Sequence, residues 1–284
     1  YPYFEGFEDT FPVAGWRSDN WNDNWSLSDF THTGLSGLGV WYGHTGSTYV
    51  ETPKFTLSTN MRAKFWWMDQ DWDYTPDSRI NNLNDTPLIL GHDTTYFEIT
   101  TNNGESWQTL CWLSKEEDET QLNKQIVNLS SFANQQVKFR WRDETDGTVL
   151  AYGMILDDFC LEKNADANNT GTILANNTQQ HLFGATGVTL QFTVANNNNL
   201  GFDIDRIQSL PGGGLPDGIL SIAPRYWVIS IESGILSADA TYTITLDLTG
   251  IGGIGDYAKI HLLKRNNADD EWLDLGVPND ITQQ

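Results

Sequence analysis

The chain breaks into short runs in which apolar and polar residues alternate, the period of a strand with one buried face. Thr95-Tyr96-Phe97-Glu98-Ile99-Thr100-Thr101 and Trp107-Gln108-Thr109-Leu110-Cys111-Trp112-Leu113 form one such pair, and Asn102-Asn103-Gly104 between them has the chemistry of a hairpin turn. Ala63 to Met68, Gln125 to Leu129, Val137 to Arg142 and Tyr152 to Glu162 read as further strands, and Val40-Trp41-Tyr42 as a short buried one between glycine-rich turns. Helical periodicity is confined to a stretch near Ser114 to Asn123. Strands of this number, separated by turn signals, predict a β-sandwich or jelly roll for residues 1–163.

Residues 164–169 are small and polar, and read as a linker. Beyond them only Trp227 and Trp272 remain of 12 tryptophans, a drop that marks a domain boundary. Gly187 to Val194, Phe202 to Ile207, Tyr226 to Ile231, Thr241 to Leu248 and Lys259 to Arg265 then read as strands, several of them alternating. They predict a second β-sandwich over residues 170–284, with one wet face per sheet. A length of 284 residues suits two such domains, and the fold class expected is all-β.

The formal net charge of −22 sharpens this picture. Residues 1–163 hold 25 acids against 11 bases, and residues 164–284 hold 13 against 5. Phosphate neutralisation drives nucleic-acid affinity, so a DNA or RNA partner is disfavoured, as is an anionic membrane surface. No run of about 18 apolar residues suggests membrane insertion. Such acidity suits a secreted protein that meets divalent cations. Cys111 and Cys160 are the only cysteines, and one bridge between them is favoured over two buried thiols. The opening at Tyr1-Pro2-Tyr3 and the ending at Gln283-Gln284 suit a portion of a longer, multidomain protein.

Within that acidic background, Gly153-Met154-Ile155-Leu156-Asp157-Asp158-Phe159-Cys160-Leu161-Glu162 is unusual, because two adjacent carboxylates interrupt an apolar strand. Successive strand residues point to opposite faces, so one of Asp157 and Asp158 must face a buried side. The remedies for a buried carboxylate are hydrogen bonds, a basic partner or a cation, and few Lys or Arg lie nearby in sequence. The pair is therefore expected to help hold Ca²⁺. Ser18-Asp19-Asn20-Trp21-Asn22-Asp23-Asn24-Trp25 is also dense in oxygen donors. Asp19 and Asp23 are candidate ligands there, with an Asx-rich turn as the alternative, since the spacing is not that of an EF-hand.

Three motifs in order, FEGFEDTFPVAGW, ITTNNGESWQTL and GMILDDFCLE, resemble the secreted jelly-roll modules called choice-of-anchor J, relatives of cleaved-adhesin and, more distantly, MAM domains. The resemblance covers residues 3–163. It implies a structural Ca²⁺ where the first strand meets the last, with Glu5 and Glu8 matching the N-terminal acids and Asp157 and Asp158 the paired aspartates. The insertion from about Asp69 to Thr94 departs from that pattern. Gly187 to Leu190, Pro224 to Trp227 and Leu262 to Arg265 resemble the immunoglobulin-like modules that follow such jelly rolls in secreted proteins of Bacteroidetes-type bacteria.

Two functions are in view. One is a non-catalytic secreted or cell-surface module for adhesion or for binding a glycan or a surface protein. Trp21, Trp25 and Trp72 lie in polar, loop-like contexts, and together with Asp71 and Asp73 they are the candidate ligand-binding residues. Trp66, Trp67, Trp107, Trp112 and Trp141 sit in strands, and most of them are expected in the core. The alternative is a jelly-roll glycoside hydrolase using Asp69, Asp71 and Asp73, which would share one face if their strand continued. The five histidines show no transition-metal spacing, and no nucleophile elbow occurs.

Overall fold

The computed structural model describes residues 3–21, 24–40, 46–70, 94–113, 122–145, 152–252, 256, 259–266 and 270–278, apart from the side chains of Asp69, Gln70 and Tyr152. The chain divides into two compact units, Tyr3–Glu162 and Lys163–Gln284.

In the first unit, twelve strands follow the predicted alternation. They are β1 (Tyr3–Glu5), β2 (Arg17–Ser18), β3 (Trp25–Ser28), β4 (Gly37–Val40), β5 (Gly46–Glu51), β6 (Phe55–Thr56), β7 (Met61–Gln70), β8 (Thr94–Thr100), β9 (Gln108–Leu113), β10 (Asn123–Asn128), β11 (Gln136–Thr145) and β12 (Tyr152–Lys163). One sheet runs β10-β7-β12-β4-β3 with β1 added to β12, and the other runs β2-β5-β11-β8-β9 with β6 added to β11. The chain passes repeatedly from one sheet to the other, staying in the same sheet only from β3 to β4, β5 to β6 and β8 to β9, as expected of a jelly-roll sandwich.

Alternation along each strand fills the space between the sheets with rings. Phe65 from β7, Phe97 from β8, Trp141 from β11 and Phe159 from β12 are all buried in one cluster. Trp141 is its centre: its ring stacks on Trp16 at 5.8 Å and lies 5.2, 4.8 and 5.1 Å from Phe65, Phe97 and Phe159. Edge and offset contacts of this kind add to the area each ring buries. The predicted hairpin between β8 and β9 forms. Asn103 (φ +63°) and Gly104 (φ +101°) take the left-handed backbone it needs, and Thr100 Oγ1 accepts the amides of Asn102 and Gly104.

The expected disulfide is absent. Cys111 and Cys160 are both free: they stand on strands of opposite sheets, and a bridge would need both thiols in the space between, whereas Cys111 alone of the two packs against the inter-sheet core.

The second unit is a smaller sandwich. Its strands are β13 (Ala167–Ile173), β14 (His181–Leu182), β15 (Val188–Val194), β16 (Leu200–Ile207), β17 (Tyr226–Ser233) and β18 (Thr241–Leu246), followed by a ribbon of β19 (Leu263–Lys264) and β20 (Leu273–Asp274). Two three-stranded sheets, β13-β16-β17 and β14-β15-β18, enclose Ile173, Phe183, Val188, Leu190, Phe192, Leu200, Phe202 and Ile204. The predicted linker is shorter than expected, since Ala167, Asn168 and Asn169 pair with Arg206, Asp205 and Ile204 of β16. Polar composition concealed this strand: Asn168 Nδ2 donates to Asp203 and Asp205, so its outward face is polar by pairing. Among the described residues no helix is long and apolar enough to cross a membrane.

Candidate functional site

Two polar clusters of the first unit stand apart from ordinary surface. The first is built on β12, which changes partners in mid-strand. Ile155 and Leu156 pair with Gly39 and Leu38 of β4, whereas Phe159, Cys160 and Leu161 pair with Glu5, Phe4 and Tyr3 of β1. Between them Asp158 has φ +50°, a left-handed conformation that inserts an extra residue. Leu156 and Phe159, three positions apart, consequently both face the core. The bulge resolves the problem posed by two adjacent carboxylates, because both turn to residues 30–36.

Asp157 is fully buried and accepts three backbone amides, from His32 (2.7 Å), Thr33 (3.2 Å) and Asp158 (2.8 Å). Asp158 takes the Thr33 hydroxyl on both oxygens, at 2.8 and 2.9 Å, and lies 2.7 Å from His32 Nδ1. The His32 ring in turn stacks on Trp66 at 3.6 Å. Burial, and then the neighbouring Asp158 charge, push the Asp157 carboxyl up to about 7, with the three amides pulling the other way.

Glu8 grips the same loop from the other side, accepting the amides of Leu35 and Ser36 at 2.9 and 3.1 Å. This requires glycine at position 34, where φ is +68° and a Cβ would stand 2.0 Å from a Glu8 oxygen. Glu5 accepts the Phe7 amide at 2.9 Å and stands opposite Phe159. The first strand thus pairs with the last, as expected, and residues 32–36 are held by Asp157 and Asp158 at one end and by Glu8 at the other; that segment, with His32 and Thr33, is what sequence reasoning missed. Among the described residues no three His, Cys, Asp or Glu side chains are grouped as metal ligands.

Asp19 lies elsewhere in the hydrogen-bond pattern, serving β5 by accepting from the Thr48 hydroxyl (2.7 Å) and the Tyr49 amide (3.1 Å). These are contacts to a distant strand, not the local backbone capping of an Asx turn. Trp25 is a correction: its side chain is fully buried and donates to Thr48 Oγ1 at 3.1 Å, which leaves no face for a ligand. Trp21 is half-buried and edge-on to Phe11. Asp23, Asp71, Trp72 and Asp73 fall outside the described residues; Asp69 lies near the end of β7.

The second cluster covers the outer face of the β2-β5-β11-β8-β9 sheet. Phe139 and Trp141 of β11 point into the core, so Lys138, Arg140 and Arg142 point out. Register then builds a row across four strands, in which Tyr49 pairs with Arg142, Arg142 with Tyr96, and Tyr96 with Trp112. The next row carries Arg17, Glu51, Arg140, Glu98 and Thr109.

The Arg142 guanidinium lies 4.3 Å from the centre of the Tyr96 ring, and that of Arg140 lies 4.3 Å from Trp107 and 5.6 Å from Tyr49. Glu98 is held between the two arginines, at 2.6 Å from Arg140 Nε and 3.0 Å from Arg142 Nε. Burial raises the Glu98 pKa, but its hydrogen bonds to Arg142 and Arg140 outweigh that and hold it below the usual carboxylate value. Arg142 also pairs with Glu144, and Lys138 with Glu51 at 3.2 Å. Trp107 and Trp112 are half-exposed members of this face, contrary to their expected place in the core; Trp67 and Trp141 do lie in it. The signal available in sequence was the alternation of cations with rings in Lys138-Phe139-Arg140-Trp141-Arg142.

No family model and no curated protein matches the chain. Solved structures of similar fold include the K1 cleaved adhesin domain of Lys-gingipain from Porphyromonas gingivalis W83, at 16% identity and TM-score 0.41, covering 58% of this chain and 99% of that one. TmCBM61 in complex with beta-1,4-galactotriose aligns at 11% identity and TM-score 0.36, over 53% of this chain and 90% of that one. The CBM22-1-CBM22-2 tandem domain of Paenibacillus barcinonensis Xyn10C aligns at 9% identity and TM-score 0.36, over 86% and 83%. At such identities and scores the fold stands on its own strand pairing, and the function on the geometry of the two clusters.

Proposed function

We propose that the first unit is a non-catalytic binding module, secreted or held at the cell surface, whose ligand lies on the outer face of the β2-β5-β11-β8-β9 sheet. The observation that carries this reading is the row Tyr49, Arg142, Tyr96 and Trp112, in which rings and a guanidinium lie side by side across four strands. Flat, half-exposed aromatic and guanidinium surfaces suit sugar rings, which offer C–H faces for stacking and hydroxyls for the flanking charged groups. Each group is fixed in advance by the sheet and by Glu98, so little side-chain freedom is lost on binding. Display of the module on a larger protein fits this reading.

Ca²⁺ belongs to the same proposal as a structural ion near Asp157 and Asp158. Two adjacent buried carboxylates offer only oxygen donors, the chemistry a hard cation needs. Neither pairs with a Lys or Arg among the described residues, although Asp158 meets His32, and the burial and Asp158 charge that raise the Asp157 pKa are ones a cation would offset. Glu5, whose strand position is opposite Phe159, next to Asp158 in sequence, is the third carboxylate of this proposal. Extracellular calcium is abundant enough for a site of modest affinity.

The test is a screen of the two-unit protein against immobilised polysaccharides, together with the Trp112→Ala and Tyr96→Ala variants. Binding of at least one polysaccharide, weakened about tenfold or more in each variant, is the expected result. Absence of binding across the panel, or binding indifferent to both substitutions, would overturn the assignment of this face.

A further inference from the structure

The aromatic row continues along β11 into a cleft. Beyond Arg140 on the same face comes Lys138, and there a cavity of about 150 Å³ opens between β11, the residues before β6 and the β8–β9 turn. Its lining includes Lys54, Lys138, Gln136, Asn103 and Thr101, and holds no carboxylate. In a chain of net charge −22 that is a local reversal of sign. Lys138 keeps its ion pair with Glu51, whereas Lys54 is exposed and has no ion pair among the described residues. The side chains of Asn103 and Gln136 likewise make no hydrogen bond there, so each has donors to offer.

The cleft is preformed. The turn on one wall is stapled by Thr100 and by Asn102, whose Oδ1 accepts the Ser106 amide at 3.0 Å. The opposite wall is fixed by pairing of Phe55 with Val137. Lys138 and Arg142 are four residues apart on one strand face, a span of roughly 13 Å at the usual rise. A chain of several sugar units laid along β11 reaches from the aromatic row to the cleft.

Resting on the proposed carbohydrate face, we infer that the Lys54–Lys138 cleft receives the carboxylate or sulfate of an acidic polysaccharide, and that this selects acidic over neutral chains. The Lys54 ammonium, the Lys138 ammonium that is shared with Glu51, and neutral amide donors complement an anionic substituent. A nucleic acid does not fit. Its phosphates repeat along the whole strand, and only two lysines meet them here within a strongly acidic chain.

The experiment compares binding of the whole protein to polygalacturonate and alginate, to chondroitin sulfate, and to neutral xylan and galactan, over a salt series and with inorganic sulfate as a competitor. Lys54→Gln is the diagnostic variant, because Lys54 is exposed and its loss leaves the core untouched. Expected are tighter binding of a uronate or sulfated polymer than of the neutral ones, an affinity that falls with salt, and an about five- to tenfold loss in Lys54→Gln confined to the acidic polymer. Which acidic arm binds identifies the substituent. Equal binding of neutral polymers with Lys54→Gln silent would overturn the cleft's role and leave the aromatic face standing. Binding of no polysaccharide would overturn both. Inorganic sulfate that displaces an acidic polymer at matched concentration would show an anion pocket without polysaccharide selectivity, and would also overturn the inference.

Discussion

Each sheet of the first unit holds, on one strand, a buried glutamate set between two cations two residues apart on another. In one sheet Glu162 of β12 is paired with Arg62 (2.6 Å) and Lys64 (3.3 Å) of β7. In the other, Glu98 of β8 is paired with Arg140 and Arg142 of β11. The electrostatic arrangement is the same, but the surroundings differ. Arg62 and Glu162 are almost wholly covered, whereas Arg140 and Arg142 lie against Trp107 and Tyr96 on a half-exposed face. The covered knot can only hold strands together. The ring-lined knot also presents flat polar surface outward, and in this comparison the aromatic neighbours, more than the charges, mark a binding face.

The strongest way to break the comparison is Glu162→Ala, which leaves Arg62 buried without its carboxylate. A loss of about 3–5 kcal/mol is expected in a denaturant titration of the first unit's transition. The same knot has a pH signature. Burial raises the Glu162 pKa, but Lys64 and Arg62 outweigh it and hold it below the ordinary 4.5. Its contribution is therefore complete above that value and lost as pH falls through the lower folded one, so Glu162→Gln should flatten the acid limb of a stability–pH curve.

Next in size is calcium. Removing it with EDTA should lower the melting temperature of the first unit, by an amount equivalent to about 2–4 kcal/mol at saturating metal, and Asp158→Asn should abolish the difference. An unmoved transition would sink the structural ion. Gly34→Ala, which forces a Cβ against Glu8, should cost about 1–3 kcal/mol by the same measurement.

The smallest stability effect and the most informative is Trp107→Ala. Loss of one half-exposed ring over Arg140 should cost about 0.5–1 kcal/mol of stability while weakening ligand binding, measured by affinity electrophoresis. Glu162→Gln, by contrast, should leave the affinity of the folded protein unchanged. If both substitutions weaken binding equally, the distinction between the covered and the ring-lined knot fails.

Local signals were legible in the chain wherever a single strand or turn carried them. The alternation in Val137 to Arg142 predicted β11, and Asn102-Asn103-Gly104 predicted the hairpin between β8 and β9. The importance of Asp157 and Asp158 was also visible, since adjacent carboxylates in an apolar run demand an account. Their solution was not, because a bulge depends on β12 exchanging β4 for β1, which no local pattern records. The binding face was hidden for a related reason. Tyr49, Tyr96, Trp112 and Arg142 meet only through register among four strands from distant parts of the chain. Trp25 misled because its polar neighbours resemble a loop, while a Thr48 hydroxyl satisfies its indole inside the core.

The partner exchange at Asp158 also bears on how the unit assembles. Tyr3 finds its strand partner in Leu161, so the start of the first unit stays unpaired until almost all of that unit has been synthesised. Closure is then a late, long-range event, of the kind that makes β-sandwiches slow to fold. Until it occurs the nascent unit carries an open edge along β12, where a chaperone or a neighbouring nascent chain would first make contact.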